Sequence, residues 1–324
     1  MRAVSQISRC AFVFESMAVV RSLGRALFLG AWLRLVSRSV VFRRVRTAVG
    51  EVRRSGRGDI ANGTRSWGTS YAGTLGDHPA YNSGEVLEST VRQFADYFTS
   101  RPAESAGQVE IIVVENGSTD NTANVCAALA ASWSWPGVTF LPMSSDKGMG
   151  AALRAGTLAS RGRRVLLTAD DLPFGFGDIE GADRVMADLG SVPPVVIGSK
   201  AHSESEVERG LLRSVMTGGF ATLRRVVLGT RTGDPQGTFI VDGVLLRRIA
   251  PSLTERGFLF TTELDYALEL AGVRPVEVPI RLSDDHLAHA SRISPKDVIQ
   301  MAKGLLSLRR RKTELRAAAA VSDH

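Results

Sequence analysis

The chain has 324 residues, 44% of them hydrophobic, with two cysteines and a net charge of +7. That length buries a sizeable core in one large domain with appendages, and that composition excludes a fibrous or wholly disordered chain. Cys10 and Cys126 lie too far apart in sequence to define a disulfide framework or a metal-ligand spacing. The positive charge sits in the N-terminal segment, so it gives no reason to read the body as a nucleic-acid binder.

Residues 1–70 carry thirteen arginines against Glu15, Glu51 and Asp59. Their longest uncharged apolar stretch, Ala26 to Leu33, is far shorter than the ~20 residues a bilayer span needs. No small-residue cleavage site follows an apolar core there, so the segment is a poor secretory signal. Three readings stay open: a basic anchor on anionic lipid, a disordered segment, or a start of translation further downstream. The folded domain is expected over 71–312, with 313–324 a disordered tail.

Gly73-Thr74-Leu75-Gly76-Asp77-His78 is poor strand material, and Pro79-Ala80-Tyr81-Asn82-Ser83 follows it. Leu87, Val91, Phe94 and Phe98 then share one face of a helix. Ile111-Ile112-Val113-Val114 reads as a buried strand, and Glu115-Asn116-Gly117-Ser118-Thr119-Asp120 after it is turn and helix-cap chemistry. An alanine-rich helical segment leads to a strand at Val138–Leu141 and a helix start at Lys147-Gly148-Met149-Gly150. A third strand, Arg164 to Thr168, ends in Asp170-Asp171. The pattern is β-α-β-α-β with acids at the strand ends. Parallel α/β sheets take their ligands there, where carboxylates hold a nucleotide or a divalent cation bridging its phosphates.

A helix over Asp178–Leu189 and a strand at Val195–Lys200 come next. Arg209–Leu228 is a long apolar segment studded with arginines, readable from its residues as a surface helix packed on the sheet. The last helix, Asp297–Arg309, places Val298, Met301, Leu305 and Leu308 on one face and ends in Arg309-Arg310-Arg311-Lys312. That basic end suits either a lipid headgroup surface or the helix dipole.

Taken in order, these motifs resemble the family 2 glycosyltransferases. Pro79 to Ser83 is similar to the family's "PAYNE" turn, and Glu115 to Asp120 to its acidic "DDGSxD" turn. Lys147-Gly148-x-Gly150 through Arg154 and Gly156 is similar to its "KGxGxAxxxG" helix. Thr168 to Phe174 resembles its metal-binding turn, with Ala169 where the first Asp usually stands and Asp170 and Asp171 adjacent. Asp234 to Phe239 resembles a motif of the family's polyprenyl-phosphate branch, in which the segment matching Arg209–Leu228 is an amphipathic element at the membrane surface, the alternative to a helix packed on the sheet. Gly257 to Leu264 with Thr261 in place of Asp, Arg274 to Ile280 as the closing strand, and Ser291 to Pro295 resemble further segments.

The resemblance implies an α/β fold of the GT-A, Rossmann-like kind, a mostly parallel sheet flanked by helices. It implies an inverting hexose transfer from a nucleotide sugar, UDP-glucose or GDP-mannose, to a polyprenyl phosphate of the dolichyl type. Pro79, Tyr81, Asn82, Glu115, Asn116, Gly117, Ser118, Lys147, Gly148, Arg154 and Asp170 would bind the nucleotide sugar. Asp171, with Asp170, would hold Mg²⁺ or Mn²⁺ against the diphosphate. Lys200, Arg209, Arg213 and Gln236 would meet the acceptor phosphate. A phosphate monoester, with a second pKa of ~6, is already nucleophilic and needs positioning rather than a base. A hydroxyl acceptor would need a carboxylate, with Asp234 and Glu263 the candidates. The enzyme would lie on the cytoplasmic, inner face of a membrane as a peripheral protein, with no nucleic acid and no evident protein partner. Two alternatives stand beside this: the same fold acting on a soluble hydroxyl acceptor, or a catalytically dead relative with a binding role.

Overall fold

The computed structural model describes residues 73–101, 109–169, 172, 175–200, 202, 205, 211–280 and 295–320, with the backbone alone described for 73–78, 211–217 and 295–299. The N-terminal segment 1–70, Asp170, Asp171, Arg209 and the segment 291–294 lie outside the described residues, as does the side chain of Arg213.

Among the described residues, seven strands form one sheet: β1 (Gly73–Ala80), β2 (Val109–Glu115), β3 (Val138–Ser144), β4 (Arg164–Leu167), β5 (Val195–Ser199), β6 (Phe239–Asp242) and β7 (Val276–Pro279). Their order across the sheet is β3-β2-β1-β4-β6-β5-β7. All neighbours pair in parallel except β6, which runs antiparallel to both β4 and β5. This is the mostly parallel, helix-flanked α/β architecture that the motifs imply. Because β4 and β5 both oppose β6, they point the same way, and the carboxyl ends of β1 to β5 meet at one edge of the sheet.

The residues of β2 explain why it lies inside. Ile111 and Val113 join one apolar cluster, while Ile112 and Val114 pack with Ala152 in another on the opposite face. A strand covered on both faces needs an unbroken apolar run, and alternate side chains serve the two layers. One layer is built from α1 (Leu87–Thr99), α2 (Thr122–Ser132) and α4 (Gly177–Leu189). The other holds α3 (Met149–Ala159), α6 (Gly243–Ile249), α7 (Phe260–Leu270), α8 (Pro295–Arg310) and α9 (Lys312–Ala319), together with the end of α5 (Leu211–Leu228). Among the described residues, no helix is long and apolar enough to cross a membrane.

Two expectations are corrected. The stretch read as poor strand material forms β1 at the centre of the sheet, paired with β2 and with β4. Neighbours on both edges supply the hydrogen bonds that weak propensity does not. The weakness survives as register irregularities between Leu75 and Asp77 against β4 and between Leu75 and His78 against β2, around Gly76. The tail expected to be disordered from 313 instead forms α9, with Leu315 and Ala319 fully buried.

Candidate functional site

The chain leaves β1 at Ala80 and β2 at Glu115 side by side, and the two turns interlock. The amide of Asn116 donates to the Ala80 carbonyl at 3.2 Å. Glu115 bends back to accept the N–H of Ser118 with its side chain. The Ser118 hydroxyl accepts the N–H of Asn82 at 3.1 Å and lies 3.4 Å from the Ala80 carbonyl. Asn82 Oδ1 in turn accepts the N–H of Thr119 at 2.8 Å. Asn82 has a φ of 55°, a left-handed conformation that asparagine tolerates better than bulkier residues. Asp120 closes the unit, accepting from the amides of Thr122 at 3.0 Å and Gly84 at 3.1 Å. The Thr122 hydroxyl, and then these backbone donors, hold the Asp120 carboxyl below its ordinary range.

Lys147, on the connection after β3, completes this cluster. Its Nζ is 3.2 Å from the Tyr81 hydroxyl and 4.9 Å from the ring centroid. Its aliphatic stem lies along Gly117, whose φ of 87° suits glycine. Tyr81, Asn82, Glu115, Asn116, Gly117, Ser118 and Lys147 therefore converge at the carboxyl edge, next to Pro79 at the end of β1.

The adjoining start of α3 serves a different purpose. The Arg256 carbonyl accepts the amides of Gly150 at 2.9 Å and Ala151 at 3.3 Å. A Cβ at Gly148 would collide with that carbonyl, and one at Gly150 with the carbonyl of Glu255. The glycines thus admit the loop 254–256. The first amides of the helix, which attract anions in many nucleotide sites, here meet protein. Arg154 also departs from expectation. Its Nε donates to the Ala250 carbonyl at 3.1 Å and its Nη2 faces that of Pro251 at 3.4 Å, so it braces the 3-10 turn Ala250–Ser252 rather than facing a phosphate.

After β5, Asp234 accepts the amides of Lys200 at 3.2 Å and Gln236 at 3.1 Å. Gly237 packs so closely on the Gly198 carbonyl that no side chain fits between them. Lys200, Asp234 and Gln236 are thereby gathered at the end of β5. Arg213 lies on α5.

Glu263 is the clearest correction. It is fully buried, its Oε2 accepts the amides of Thr254 at 2.9 Å and Glu255 at 2.8 Å, and its Oε1 is paired with Arg311. A carboxylate enclosed in this way reaches no acceptor, so it is not a base.

A second buried network was not anticipated. The Arg224 guanidinium, 1% exposed, bonds the Thr230 hydroxyl at 2.9 Å, the Gly233 carbonyl at 3.2 Å, the Thr232 carbonyl, and Asp265 at 3.3 Å. Asp265 accepts the Thr232 hydroxyl at 2.6 Å. Glu269 accepts the amides of Arg231 at 2.7 Å and Thr232 at 3.0 Å, and Glu277 accepts that of Gly233 at 2.7 Å. Burial pushes the Asp265 carboxyl up to about 7 and the Arg224 guanidinium down, each against the pull of its partner's charge. The signal available beforehand was charge inside apolar helical runs, since such residues are seldom buried unless paired.

Among the described residues, no group of three or more His, Cys, Asp or Glu is gathered as a metal cluster would require. The two expected ligands, Asp170 and Asp171, follow β4 in sequence and lie outside the described residues.

Residues 78–232 match the model of glycosyl transferase family 2. The chain is 27% identical over 241 residues to dolichyl-phosphate beta-glucosyltransferase of Mus musculus, covering 72% of this chain and 74% of the relative. It is 28% identical over 249 residues to the enzyme of the same name from Saccharomyces cerevisiae, covering 71% and 72%. Among solved structures, it resembles glucosyl-3-phosphoglycerate synthase from Mycobacterium tuberculosis in complex with Mn²⁺, UDP-glucose and phosphoglyceric acid. That match has 16% identity and a TM-score of 0.46, and covers 76% of this chain and 79% of the other.

Proposed function

We propose, from the premise that residues 78–232 belong to glycosyl transferase family 2, that this enzyme moves glucose from UDP-glucose to a polyprenyl phosphate with inversion at the anomeric carbon. The names of the relatives that align over more than two thirds of the chain support the glucosyl and polyprenyl-phosphate parts of this reading. The observation that carries it is the interlocked rim of Asn82, Glu115 and Ser118 beside Lys147.

In this reading the polar turn at Glu115–Ser118 grips base and ribose, and Tyr81 holds Lys147 where its charge meets the donor diphosphate. Lys200 and Gln236, with Arg209 and Arg213, receive the acceptor phosphate. A phosphate oxygen forms the new bond to the anomeric carbon as the bond to the diphosphate breaks, and UDP leaves with that electron pair. No proton need be removed, which accords with Glu263 being sealed away from any acceptor. Asp234 then shapes the loop instead of acting as a base.

A divalent cation, Mg²⁺ or Mn²⁺, held by Asp171 with Asp170, belongs to the same proposal and would neutralise the departing diphosphate. Peripheral attachment to a membrane would follow from a lipid acceptor, and the cytoplasmic, inner face belongs to the same proposal.

The test is transfer of labelled sugar to a short polyprenyl phosphate, with UDP-glucose and GDP-mannose compared as donors and a hydroxyl acceptor run in parallel. Glucose transfer to the lipid phosphate is expected. Activity on the hydroxyl acceptor alone, or no transfer by folded protein with any donor, overturns the reading.

A further inference from the structure

We infer that the buried helix α7 is the positioning element for both halves of the rim: its Glu263 sets the Lys147 turn, and its Asp265 and Glu269 set the loop that carries Asp234. The role given to each half rests on the reading above, whereas the mechanical link does not.

The link starts from the burial of α7. Every residue from Phe260 to Leu268 is buried, and the helix's three acids, Glu263, Asp265 and Glu269, bond backbone or charge on other segments. Charges in such a place persist only where they are paired and fully hydrogen-bonded.

The donor side is a chain of contacts. Glu263 fixes the amides of Thr254 and Glu255. Arg311 clamps the same loop from outside, bonding Glu263, the Thr254 hydroxyl at 2.5 Å and the Ser252 carbonyl at 2.6 Å. Arg311 donates to Glu314 at 2.8 and 3.0 Å, on opposite oxygens, which aims its planar fork. The loop so held presents the Arg256 carbonyl to the amides of Gly150 and Ala151, while the Arg256 side chain pairs with Asp146. Lys147 sits between those two attachments. The C-terminal residues, far beyond the family match, therefore bear on its position.

The acceptor side is built the same way. Asp265 anchors Arg224 and Thr232, and Glu269 takes the amides of Arg231 and Thr232. Arg224 draws in the carbonyls of Thr232 and Gly233. Asp234 is the next residue. Separate acids on one rigid helix thus hold separate loops, and loosening one leaves the other attached.

The experiment is amide hydrogen exchange on the full chain, followed by steady-state kinetics with each substrate varied. Glu263→Gln and Arg311→Lys form the donor-side pair. Asp265→Asn and Glu269→Gln form the acceptor-side pair. In each pair the second, more exposed change covers failure of the first to fold. The donor-side variants should speed exchange at Gly150 and Ala151 at least tenfold, and raise the KM for UDP-glucose at least fivefold with little change for the acceptor. The acceptor-side variants should speed exchange at Arg231 to Gly233 and raise the acceptor KM instead. Uniform loosening in all four variants, or exchange at those amides unchanged in folded protein, overturns the inference. Exchange is read without turnover, so an enzyme that fails to transfer glucose overturns the proposed reaction while leaving this test intact.

Discussion

Lys147 Nζ lies 3.2 Å from the Tyr81 hydroxyl and 4.9 Å from the centre of its ring, joining the exit of β3 to the exit of β1. An ammonium held over an aromatic face is attracted by the ring's negative face and loses freedom to swing away. That relationship supports the proposed role of Lys147 as the cation that meets a donor diphosphate.

Lys147→Met should lower kcat/KM for the donor about 100-fold, equivalent to roughly 3 kcal/mol of transition-state stabilisation. Tyr81→Phe keeps the ring face under the Lys147 ammonium and should cost less than about fivefold. Equal losses in the two variants would show that the hydroxyl, not the charge, matters.

Gly148 is demanded by geometry as well as by backbone angle. Its φ is 130°, and a Cβ there would strike the Arg256 carbonyl. Gly148→Ala should destabilise the fold by at least ~1–3 kcal/mol, the usual cost of a strained backbone position. Denaturant unfolding measures this, and an unchanged midpoint would show that the loop 254–256 moves aside freely.

Asp178, at the start of α4, is 3% exposed, and burial pushes its carboxyl up to about 6 despite hydrogen bonds from Thr238 and the Ile179 amide. The neutral form is favoured in the fold, so the associated stability is fully present below about pH 4 and is lost as pH rises through about 6. The whole effect is at most roughly 3 kcal/mol. Asp178→Asn should therefore raise Tm relative to the parent at pH 7 and converge with it near pH 4. A Tm difference independent of pH across that window would contradict the assignment.

Chelation addresses the proposed cation. Removal of divalent metal should weaken UDP binding at least tenfold by calorimetry, with Mn²⁺ or Mg²⁺ restoring it, and Asp171→Asn should bind UDP weakly whether or not metal is added. UDP affinity indifferent to metal would remove the cation from the proposal.

Some of this could be read before any coordinates. Ile111–Val114 and the polar turn after it are local patterns: a β-branched run can hardly be anything but a buried strand, and Asn-Gly-Ser can hardly continue it. The same holds for the helix face of Leu87, Val91 and Phe94, all buried against the sheet. Motif order therefore sufficed to bring Glu115, Ser118 and Lys147 to one edge, because in a wound sheet the strand ends follow from the strands.

Other features had no local signature. Helix α7 carries Thr261, Thr262, Glu263 and Asp265 among its buried residues, so its composition does not announce its burial, and β1 has weak propensity that pairing on both edges overrides. Sequence alone determined which residues stand at the strand ends of this protein. Only the tertiary structure decided that Glu263 clasps Arg311, that Arg154 braces Ala250, and that the last turns of chain fold back as α9. The reason is physical: a turn is shaped by its own few residues, whereas the fate of a long charged side chain depends on which distant backbone it finds once water has been excluded.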